Sequence, residues 1–496
     1  MQTLLQLDKI KLAVQAESIE GHAQGAVLHG MRVSLLHPFG ETLCYRHGWH
    51  SWSLSCWLPL SLKLSTPLAK SLWPQIDHPA LLEDYPFTSS SLTALQAPDG
   101  KVLLLGALGL DARLKVDTEM VRGEYVAPKA ADLEWFLAFG EERTVFAAYA
   151  GMLEQRLGAR GHGQPWRVWC SWYGLYTGIS EDILLGVLPG LKDLPFDVFQ
   201  VDDGWQVSLG DWEANEKFPS GMQVLARKIR ASGYVPGLWL APLAVAPTSR
   251  LFQEHPEWLL RDADGKLVPA GHNWGDDFYG LDVTRPGVQK WLTERIQQVR
   301  FWGFDYLKLD FLYAGALPGA RYQKLPGELA LRKALEIIRQ AAGEVAYLLT
   351  CGVPMLASLG LADGLRVGPD VAPQWENTDR SYFLHDFSGP GVLNAIRTTL
   401  HRLWLRPLAQ VDPDVAYFRE KYNLLTSEQK AVLQDLVQVT GFRATSDLPV
   451  WLSPEERQAL HAFLSHNPQI TQTGRYQFNI DNRPVDFGVL EGLWPD

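Results

Sequence analysis

The sequence predicts an α/β and β multidomain protein, in which an N-terminal β-sandwich precedes a (β/α)8 TIM barrel and a short C-terminal β segment follows it. Three observations predict this class. Short apolar runs separated by Pro and Gly fill roughly the first 155 residues, whereas strand-like and amphipathic segments alternate over about the next 300. A Gly- and Pro-rich stretch at 158–165 separates the two patterns. We therefore expect domains at residues 1–158, 159–466 and 467–496.

The first region has the pattern of antiparallel strands. Residues 27–36 and 101–108 are apolar runs, and Asp99-Gly100 is a turn signal just before the second run. Short strands with turn signals between them are typical of two packed antiparallel sheets. The sequence therefore predicts a sandwich for residues 1–158.

The second region alternates strands and helices in the way that a barrel requires. Amphipathic segments at 222–232, 286–301 and 327–342 are long enough to be crossover helices. The strand candidates are 166–171, 198–202, 235–241, 304–310, 345–351 and 364–367, with weaker ones at 403–411 and 442–445. An open doubly wound sheet is the alternative, but no GxGxxG or GxxxxGK[ST] follows any of these strands. We therefore expect the barrel.

Composition excludes several classes of function. The chain has 496 residues, with 45 Lys and Arg against 56 Asp and Glu, and no run of five basic residues, so nucleic acid and anionic lipid are not expected partners. The 4 cysteines form neither a disulfide framework nor a CxxC pair. No signal-peptide or membrane-spanning pattern is found, so we expect a cytoplasmic protein. The 19 tryptophans suit a sugar ligand, because aromatic faces stack on sugar C–H surfaces.

Polar and aromatic residues follow six of the predicted strands. The chemistry of a (β/α)8 enzyme lies at the carboxyl ends of the strands, so these side chains should meet at one mouth. In strand order they are Trp169-Cys-Ser-Trp-Tyr173, Asp202-Asp203-Gly204, Trp239, Lys308-Leu-Asp310, Cys351-Gly352, and Arg366 followed by Asp370.

The fourth strand carries a candidate nucleophile. Side chains alternate along a strand, so Tyr306, Lys308 and Asp310 should share one face, and Leu307, Leu309 and Phe311 the other. An ammonium two residues before a carboxylate favours its ionised form, which a carboxylate nucleophile needs. The alternative is a buried structural ion pair.

Asp202 and Asp203 are candidate ligands for sugar hydroxyls. Adjacent residues of a regular strand face opposite sides, so both reach the mouth only if the strand breaks, which Gly204 permits. Paired carboxylates accept hydrogen bonds from adjacent hydroxyls. A metal site or a structural cap remains possible, but the nearest histidines are His162 and His255, outside these loops. We expect no metal and no cofactor.

Asp370 is a candidate acid. It follows Gly368 and Pro369, and a carboxyl group facing an aromatic pocket has a raised pKa and can donate a proton. Alone, Gly-Pro-Asp is more typical of a turn. Together with Asp310, it completes the two carboxyl groups that a glycosidase needs.

These residues resemble the glycoside hydrolase family 36 α-galactosidases of the melibiase type. The resemblance runs in order over about 200 residues, in the strings Trp169-Cys-Ser-Trp-Tyr173, Phe199-Gln-Val-Asp-Asp203, Gly210-Asp-Trp212, Pro236-Gly-Leu-Trp-Leu-Ala-Pro242, Glu254-His-Pro-Glu-Trp258, Lys308-Leu-Asp-Phe-Leu-Tyr-Ala-Gly315 and Asp363-Gly-Leu-Arg-Val-Gly-Pro-Asp-Val-Ala-Pro373. It implies that Asp310 is the nucleophile and Asp370 the acid/base. It also implies that galactose is bound by Asp202, Asp203, Lys308 and Arg366, in a pocket lined by Trp172, Tyr173, Trp239 and Cys351.

The N-terminal region resembles the family's sandwich through Gly48-Trp-His-Ser-Trp52. The resemblance implies that Trp52 reaches an active site, often that of a neighbouring subunit, whereas the alternative is a tryptophan of the sandwich core. Only about 30 residues follow the predicted helix 454–465, fewer than the longer members of the family have. A homo-oligomer is therefore possible, but an arrangement that depends on a full C-terminal domain is in doubt.

The leading hypothesis is a retaining exo-α-galactosidase that hydrolyses terminal α-D-galactosyl residues of melibiose- and raffinose-type sugars without a cofactor. The alternatives are a galactosyl transglycosylase, a non-catalytic carbohydrate-binding protein, and an aldolase that forms a Schiff base on Lys308. The last requires an amine with a depressed pKa, which the neighbouring Asp310 disfavours.

Overall fold

The N-terminal region consists of two antiparallel sheets. The computed structural model describes residues 2–126, 133–161 and 163–494. Within them, one sheet has the order β1-β2-β5-β12-β11-β8 and the other β3-β4-β13-β10-β9-β6-β7. These strands are β1 Gln2–Leu7, β2 Ile10–Gln15, β3 Ser18–His22, β4 Gly25–His29, β5 Arg32–Leu36, β6 Leu43–Arg46, β7 Cys56–Pro59, β8 Thr88–Ser90, β9 Leu92–Gln96, β10 Val102–Ala107, β11 Ala112–Val116, β12 Met120–Tyr125 and β13 Glu134–Gly140.

Side chains of both sheets form one apolar core. Strand β11 buries Leu114 and Val116 while Lys115 between them is exposed, the alternation expected for a half-buried strand. Leu114 of the first sheet and Leu103 and Leu105 of the second belong to the same buried cluster. The predicted run 27–36 is divided between β4 and β5, with Gly30 at a φ of +139° where the chain turns.

The second region is built on an eight-stranded parallel sheet with the order β25-β24-β23-β22-β18-β15-β14-β26. The first and last of these strands in the chain, β14 and β26, pair with each other, which is the order of a barrel. Between β25 and β26 the contact is a hydrogen bond just beyond one strand, from Ala416 N to Ala444 O at 2.8 Å. Including short strands in the loops, the elements are β14 Arg167–Cys170, β15 Val198–Val201, β16 Gln206–Ser208, β17 Asp211–Ala214, β18 Val235–Leu240, β19 Ala244–Val245, β20 Pro269–Asn273, β21 Asp276–Gly280, β22 Tyr306–Leu309, β23 Tyr347–Thr350, β24 Gly364–Arg366, β25 Gln410–Asp412 and β26 Arg443–Thr445.

Seven of the eight strands of this sheet lie within the predicted segments, and the remaining one, β25, does not match its prediction. The prediction for 403–411 placed its start seven residues too early, since Leu403–Leu405 is a 3-10 helix and β25 begins at Gln410. Apolar side chains at Leu403, Leu405 and Leu408 are buried as a strand would bury them, so burial alone did not distinguish the two conformations.

Helices surround the sheet. In the described residues they are α1 Trp73–Ile76, α2 Pro79–Leu82, α3 Glu142–Leu157, α4 Trp172–Leu175, α5 Glu181–Leu191, α6 Met222–Ala231, α7 Arg250–Glu254, α8 Pro286–Trp302, α9 Gly327–Ala342, α10 Met355–Ser358, α11 Val392–His401, α12 Ser427–Thr440 and α13 Pro454–Ser465. Local chemistry explains several of the ends. Thr426 and Ser453 cap α12 and α13 in capping boxes with Gln429 and Glu456. None of the described helices is both long and apolar enough to cross a bilayer.

The N-terminal region and the barrel cap each other. The Asp111 carboxylate accepts hydrogen bonds from Glu328 N at 2.9 Å and Leu329 N at 3.1 Å, at the start of α9. Glu328 Oε2 in turn accepts a hydrogen bond from Asp111 N at 2.8 Å, and Oε1 accepts one from Trp49 Nε1 at 2.9 Å. Free N–H groups of a barrel helix are thus satisfied by a residue of the preceding domain.

A small sheet closes the chain. Strands β27 Ile470–Gln472, β28 Gln477–Ile480 and β29 Arg483–Asp486 pair antiparallel in that order. Phe478 and Ile480 are buried in a cluster that also holds Tyr45 of the N-terminal region and Val437 of α12. The C-terminal segment therefore packs onto both larger regions.

Candidate active site

A cavity of about 390 Å³ lies at the carboxyl ends of the parallel strands. Most of the expected site residues line it, and so do several that the sequence analysis did not single out. Its walls are Trp52, Leu72, Gln75, Trp172, Asp202, Asp203, Trp239, His272, Asn273, Trp274, Lys308, Asp310, Phe311, Asp370, Arg380, Ser388 and Pro390.

Asp202 and Asp203 both reach the cavity because the strand ends before them. Strand β15 stops at Val201, and Gly204 has a φ of +112°. A Cβ on Gly204 would lie 2.8 Å from the Thr177 Cα, so this break requires glycine for space as well as for backbone conformation. The predicted break in the strand is present.

Lys308 forms its ion pair with Asp202, and among the described residues no direct ion pair joins it to Asp310. Its Nζ lies 2.9 Å from Asp202 Oδ2, and both side chains are buried. Lys308 and Asp202 belong to the fourth and second strands of the parallel sheet, and inward side chains of alternate barrel strands share one layer. Burial lowers the pKa of Lys308, but the acidic groups around it, of which Asp202 has the strongest effect, together outweigh burial and hold that pKa well above its usual value. The amine therefore stays protonated and is a poor nucleophile for a Schiff base.

Asp310 is held by two donors. Trp239 Nε1 donates to its Oδ2 at 3.0 Å, and Phe311 N donates to its Oδ1 at 2.8 Å. Strand β22 ends at Leu309, and Phe311 takes the left-handed region at a φ of 52°. Phe311 thereby lines the cavity beside Asp310, which corrects the prediction that it lies on the opposite face. Each oxygen of this carboxyl group thus accepts one N–H donor, which fixes its orientation at the cavity wall.

Like Asp203, Asp370 is a carboxyl group of the cavity whose pKa is raised. Burial raises its pKa, although Arg366 and Lys308 oppose the shift. Arg366 Nη1 lies 3.3 Å from Asp370 Oδ1, while Nε lies 2.9 Å from Asp412 Oδ2 and Nη2 lies 2.9 Å from Asp414 Oδ1. One guanidinium is thus shared among three carboxyl groups. Asp370 has the longest and least favourable of the three contacts.

Three of the expected binding residues are outside the cavity lining. Arg366 is occupied by the three carboxyl groups just described. The Tyr173 hydroxyl donates to Asp414 Oδ2, and Cys351 is 1% exposed. Tyr173, Cys351 and Arg366 therefore support the walls from behind, and the prediction that Tyr173 and Cys351 line the pocket is not met.

Trp52 reaches the cavity of its own chain. It lies on the loop between β6 and β7, and its ring meets Phe311 edge to face at a centroid distance of 5.0 Å. The N-terminal region thus contributes a wall without help from a neighbouring subunit. Trp172 and Trp239 supply further aromatic surface.

Trp274 is a site residue that the sequence analysis missed. It lies at the tip of the β20–β21 hairpin, and its Nε1 donates to Asp203 Oδ2 at 2.6 Å. Gln206 Nε2 donates to the other oxygen of Asp203, also at 2.6 Å. Trp274 has a φ of 54°, which is costly for a bulky residue and is typical of functional sites.

Comparison with known proteins identifies the family. A family model described as Melibiase matches residues 156–321. The structure is similar to that of TtGalA, an α-galactosidase from Thermus thermophilus in complex with p-nitrophenyl α-D-galactopyranoside. The two have a TM-score of 0.93 and 48% identity over 98% of this chain and 99% of that one. The chain belongs to the glycoside hydrolase family 36 α-galactosidases.

Other similar proteins are more distant. Alpha-galactosidase 1 of Pediococcus pentosaceus is 28% identical over 166 residues, which are 30% of this chain and 22% of that protein. The match therefore spans about a fifth of that relative's length. AgaA of Geobacillus stearothermophilus shares the fold, with a TM-score of 0.61 at 15% identity over 92% of this chain and 65% of that one.

The site of this family 36 protein contains carboxylates but no arrangement for a metal. Among residues 2–126, 133–161 and 163–494, no three His, Cys, Asp or Glu side chains are placed to hold an ion together. His162 lies outside the described residues, and His255 stacks on Trp258 at a centroid distance of 3.9 Å. The Asp202 carboxylate is instead balanced by Lys308.

Proposed function

We propose that this protein is a retaining exo-α-galactosidase that hydrolyses terminal α-D-galactosyl residues of melibiose- and raffinose-type sugars by double displacement. The observation that carries the proposal is the contrast between two carboxyl groups in one cavity. Asp310 accepts two N–H donors, whereas burial raises the pKa of Asp370. A retaining glycosidase needs one carboxyl group that attacks as the nucleophile and a second that donates a proton.

The two groups act in two steps. First, Asp370 gives its proton to the glycosidic oxygen while Asp310 attacks the anomeric carbon, so the C–O bond to the leaving sugar breaks and a galactosyl ester forms on Asp310. Second, Asp370 takes a proton from water, the water oxygen attacks the anomeric carbon, and Asp310 leaves as a carboxylate. Retention requires the two carboxyl groups to be about 5–5.5 Å apart in the substrate complex.

Galactose hydroxyls are bound by Asp203, Asp202 and Lys308, and Trp172, Trp239 and Trp52 enclose the ring. Each oxygen of Asp203 has a single protein donor, so lone pairs remain for hydroxyl groups. Asp202 Oδ2 has three donors, Lys308, Gln200 and Cys170, so its remaining capacity lies mainly on Oδ1. Arg366, Tyr173 and Cys351 hold the walls in position. TtGalA, which is 49% identical in its complex with stachyose, supports a galactoside as the ligand class.

Substrate selectivity tests the activity. Aryl α-galactoside should be cleaved at least about 10⁴-fold faster than aryl α-glucoside or β-galactoside, since buried carboxylates left without hydroxyl partners cost several kcal/mol. Comparable rates on α-glucoside would reject the assignment. Analysis of the products at high galactoside concentration separates hydrolysis from transfer to a second sugar.

Rescue by a small anion tests the role of Asp310. Asp310→Gly should abolish turnover, and added azide should restore it and yield β-galactosyl azide, since the anion attacks the face that the carboxylate has left. NMR should find α-galactose as the first product of the wild type. Asp197→Ala is the matched control, because Asp197 pairs with Arg167 at the opposite end of the barrel. Asp310→Gly with wild-type turnover in the absence of azide would remove Asp310 from the mechanism.

A further inference from the structure

Arg402 is a buried cation with backbone carbonyls as its partners. It follows α11 at the helix C-terminus and is 0% exposed. Among the described residues, no carboxylate forms an ion pair with it. Its two terminal nitrogens instead donate five hydrogen bonds, from Nη1 to Ser51 O at 2.6 Å and Val367 O at 2.7 Å, and from Nη2 to His50 O at 2.9 Å, Gly48 O at 3.1 Å and Ser53 O at 3.3 Å.

The five carbonyls belong to two segments that build the active site. Four lie on residues 48–53, the loop of the N-terminal region that carries Trp52 into the cavity. The fifth belongs to Val367, which directly follows β24 and precedes Asp370 by three residues. One guanidinium therefore joins the Trp52 wall to the segment that leads to Asp370.

A buried arginine without a counter-ion is expensive, which argues for a specific purpose. Burial lowers the pKa of Arg402 to about 10, and nearby Arg46 adds to the shift. The buried carbonyl groups of the loop 48–53 also need hydrogen-bond donors, because water is excluded from them. The two terminal nitrogens of the planar guanidinium offer four N–H groups in fixed directions, whereas a lysine offers three on one nitrogen. Other contacts also join the loop to the barrel, such as the hydrogen bond from Val353 N to Ser51 Oγ at 3.2 Å, the one from Trp49 Nε1 to Glu328, and the stacking of His50 on Tyr313 at a centroid distance of 4.9 Å.

We propose that Arg402 is a positioning residue that sets Trp52 and the Asp370 segment at a fixed spacing, so that the sugar is enclosed where the acid can reach its glycosidic oxygen. This inference rests on the proposed function. It makes two statements that a purely structural role does not. Arg402 acts through Trp52, and its loss harms substrates that need acid assistance more than those that do not.

Kinetics of Arg402→Lys test both statements. Lysine keeps the charge but cannot reach all five carbonyls, so kcat/KM on raffinose should fall about tenfold or more, and less on p-nitrophenyl α-D-galactopyranoside, whose leaving group needs little protonation. In a double-mutant cycle with Trp52→Ala, the fall in kcat/KM on raffinose of the double variant should be about tenfold smaller than the product of the falls in the two single variants. Arg402→Met should behave in the same way if near-UV circular dichroism confirms that it folds.

Two controls separate this role from general stability. Arg443 is also a buried arginine, and it donates to Leu464 O at 3.1 Å and Asn467 Oδ1 at 3.0 Å, at the start of β26 and far from the mouth. Arg443→Met should lower the melting temperature and leave the raffinose to nitrophenyl ratio unchanged. Ser51→Ala removes the Val353 bond and keeps Arg402.

The inference is overturned if folded Arg402→Lys cleaves both substrates as the wild type does, if its losses multiply with those of Trp52→Ala, or if its losses fall equally on both substrates. The proposed function fails differently, because then the wild type itself would not cleave α-galactosides. If the wild type cleaves α-galactosides but the losses of Arg402→Lys and Trp52→Ala multiply, only the proposed role of Arg402 is rejected.

Discussion

Lys308 Nζ lies 2.9 Å from Asp202 Oδ2, in a pair that is almost completely buried and belongs to the walls of the catalytic cavity. Removal of one partner leaves the other charge buried without compensation. Lys308→Met should therefore cost about 3–5 kcal/mol of unfolding free energy and abolish turnover. Chemical denaturation measures the first effect and initial rates the second.

The matched control for Lys308 is Lys228, whose pair with Glu181 leaves the lysine side chain 45% exposed. Lys228→Met should cost about 1 kcal/mol or less and leave kcat/KM unchanged. Equal losses of stability in the two variants would contradict the buried-pair interpretation.

Asp370 should reveal its role through the leaving group. Asp370→Ala should cripple melibiose cleavage, since a sugar oxygen leaves only when protonated, and should retain far more first-step activity on a nitrophenyl galactoside. The galactosyl-enzyme should then accumulate as a burst of nitrophenol. Because the raised pKa keeps the acid protonated, wild-type activity should fall as the pH rises through that pKa, and the alkaline limb should vanish in the variant. Equal slowing of both substrates with the limb intact would assign the acid elsewhere.

Trp274 should matter through its indole N–H. Trp274→Phe keeps an aromatic ring and removes the donor to Asp203, a hydrogen bond to a buried carboxylate. We expect kcat/KM for galactosides to fall about 10–100-fold. Burial already raises the pKa of Asp203, so the acid limb of the pH profile should move to higher pH. Trp166→Phe, at the other end of the barrel, is the control and should change neither kcat/KM nor the acid limb. If Trp274→Phe leaves the pH profile unchanged, Trp274 contributes to packing only.

Glu328 should make stability depend on pH. Burial and, next, the Asp111 carboxylate raise its pKa from 4.5 to about 8. The folded protein then binds this proton more tightly than the unfolded chain, so its stabilising effect is complete below pH 4.5 and is lost as the pH rises to 8. The free energy of unfolding should fall by about 1–3 kcal/mol over that interval, and Glu328→Gln should reduce the fall. Denaturant titrations at pH 5 and 8 measure the unfolding free energy at each pH. If it falls equally in the variant and the wild type between these two pH values, the pH dependence is not due to Glu328.

Local pattern predicted the strands and many of the site residues, because both depend on neighbours in the chain. Apolar runs with Gly and Pro between them located β15, β22 and β24, and the polar residues after them identified Asp202, Asp310 and Asp370. Strand β25 was also followed by a signal that was overlooked, the carboxyl groups of Asp412 and Asp414.

What the sequence did not predict depends on distances across the barrel. Lys308 and Asp310 are two residues apart in the chain, a spacing of about 6.6 Å along an extended strand. Lys308 therefore pairs with Asp202, which lies in the same layer of the barrel. Trp274 lies in a hairpin more than thirty residues after β18, and no local pattern assigns a hairpin tip to Asp203. Tyr173, Cys351 and Arg366 lie at the expected strand ends, but they are not among the residues that line the cavity.

The mutual cap of Asp111 and Glu328 limits how this chain can be divided. A barrel produced without the preceding 158 residues would have a bare helix start at Gly327, an arginine at 402 that has lost four of its five carbonyl acceptors, and a cavity open on the side of Trp52. The first domain is therefore no exchangeable module. Replacing it with the corresponding domain of another enzyme would require both partners of the cap, Asp111 and Glu328, and the loop 48–53 that binds Arg402 to be transferred together.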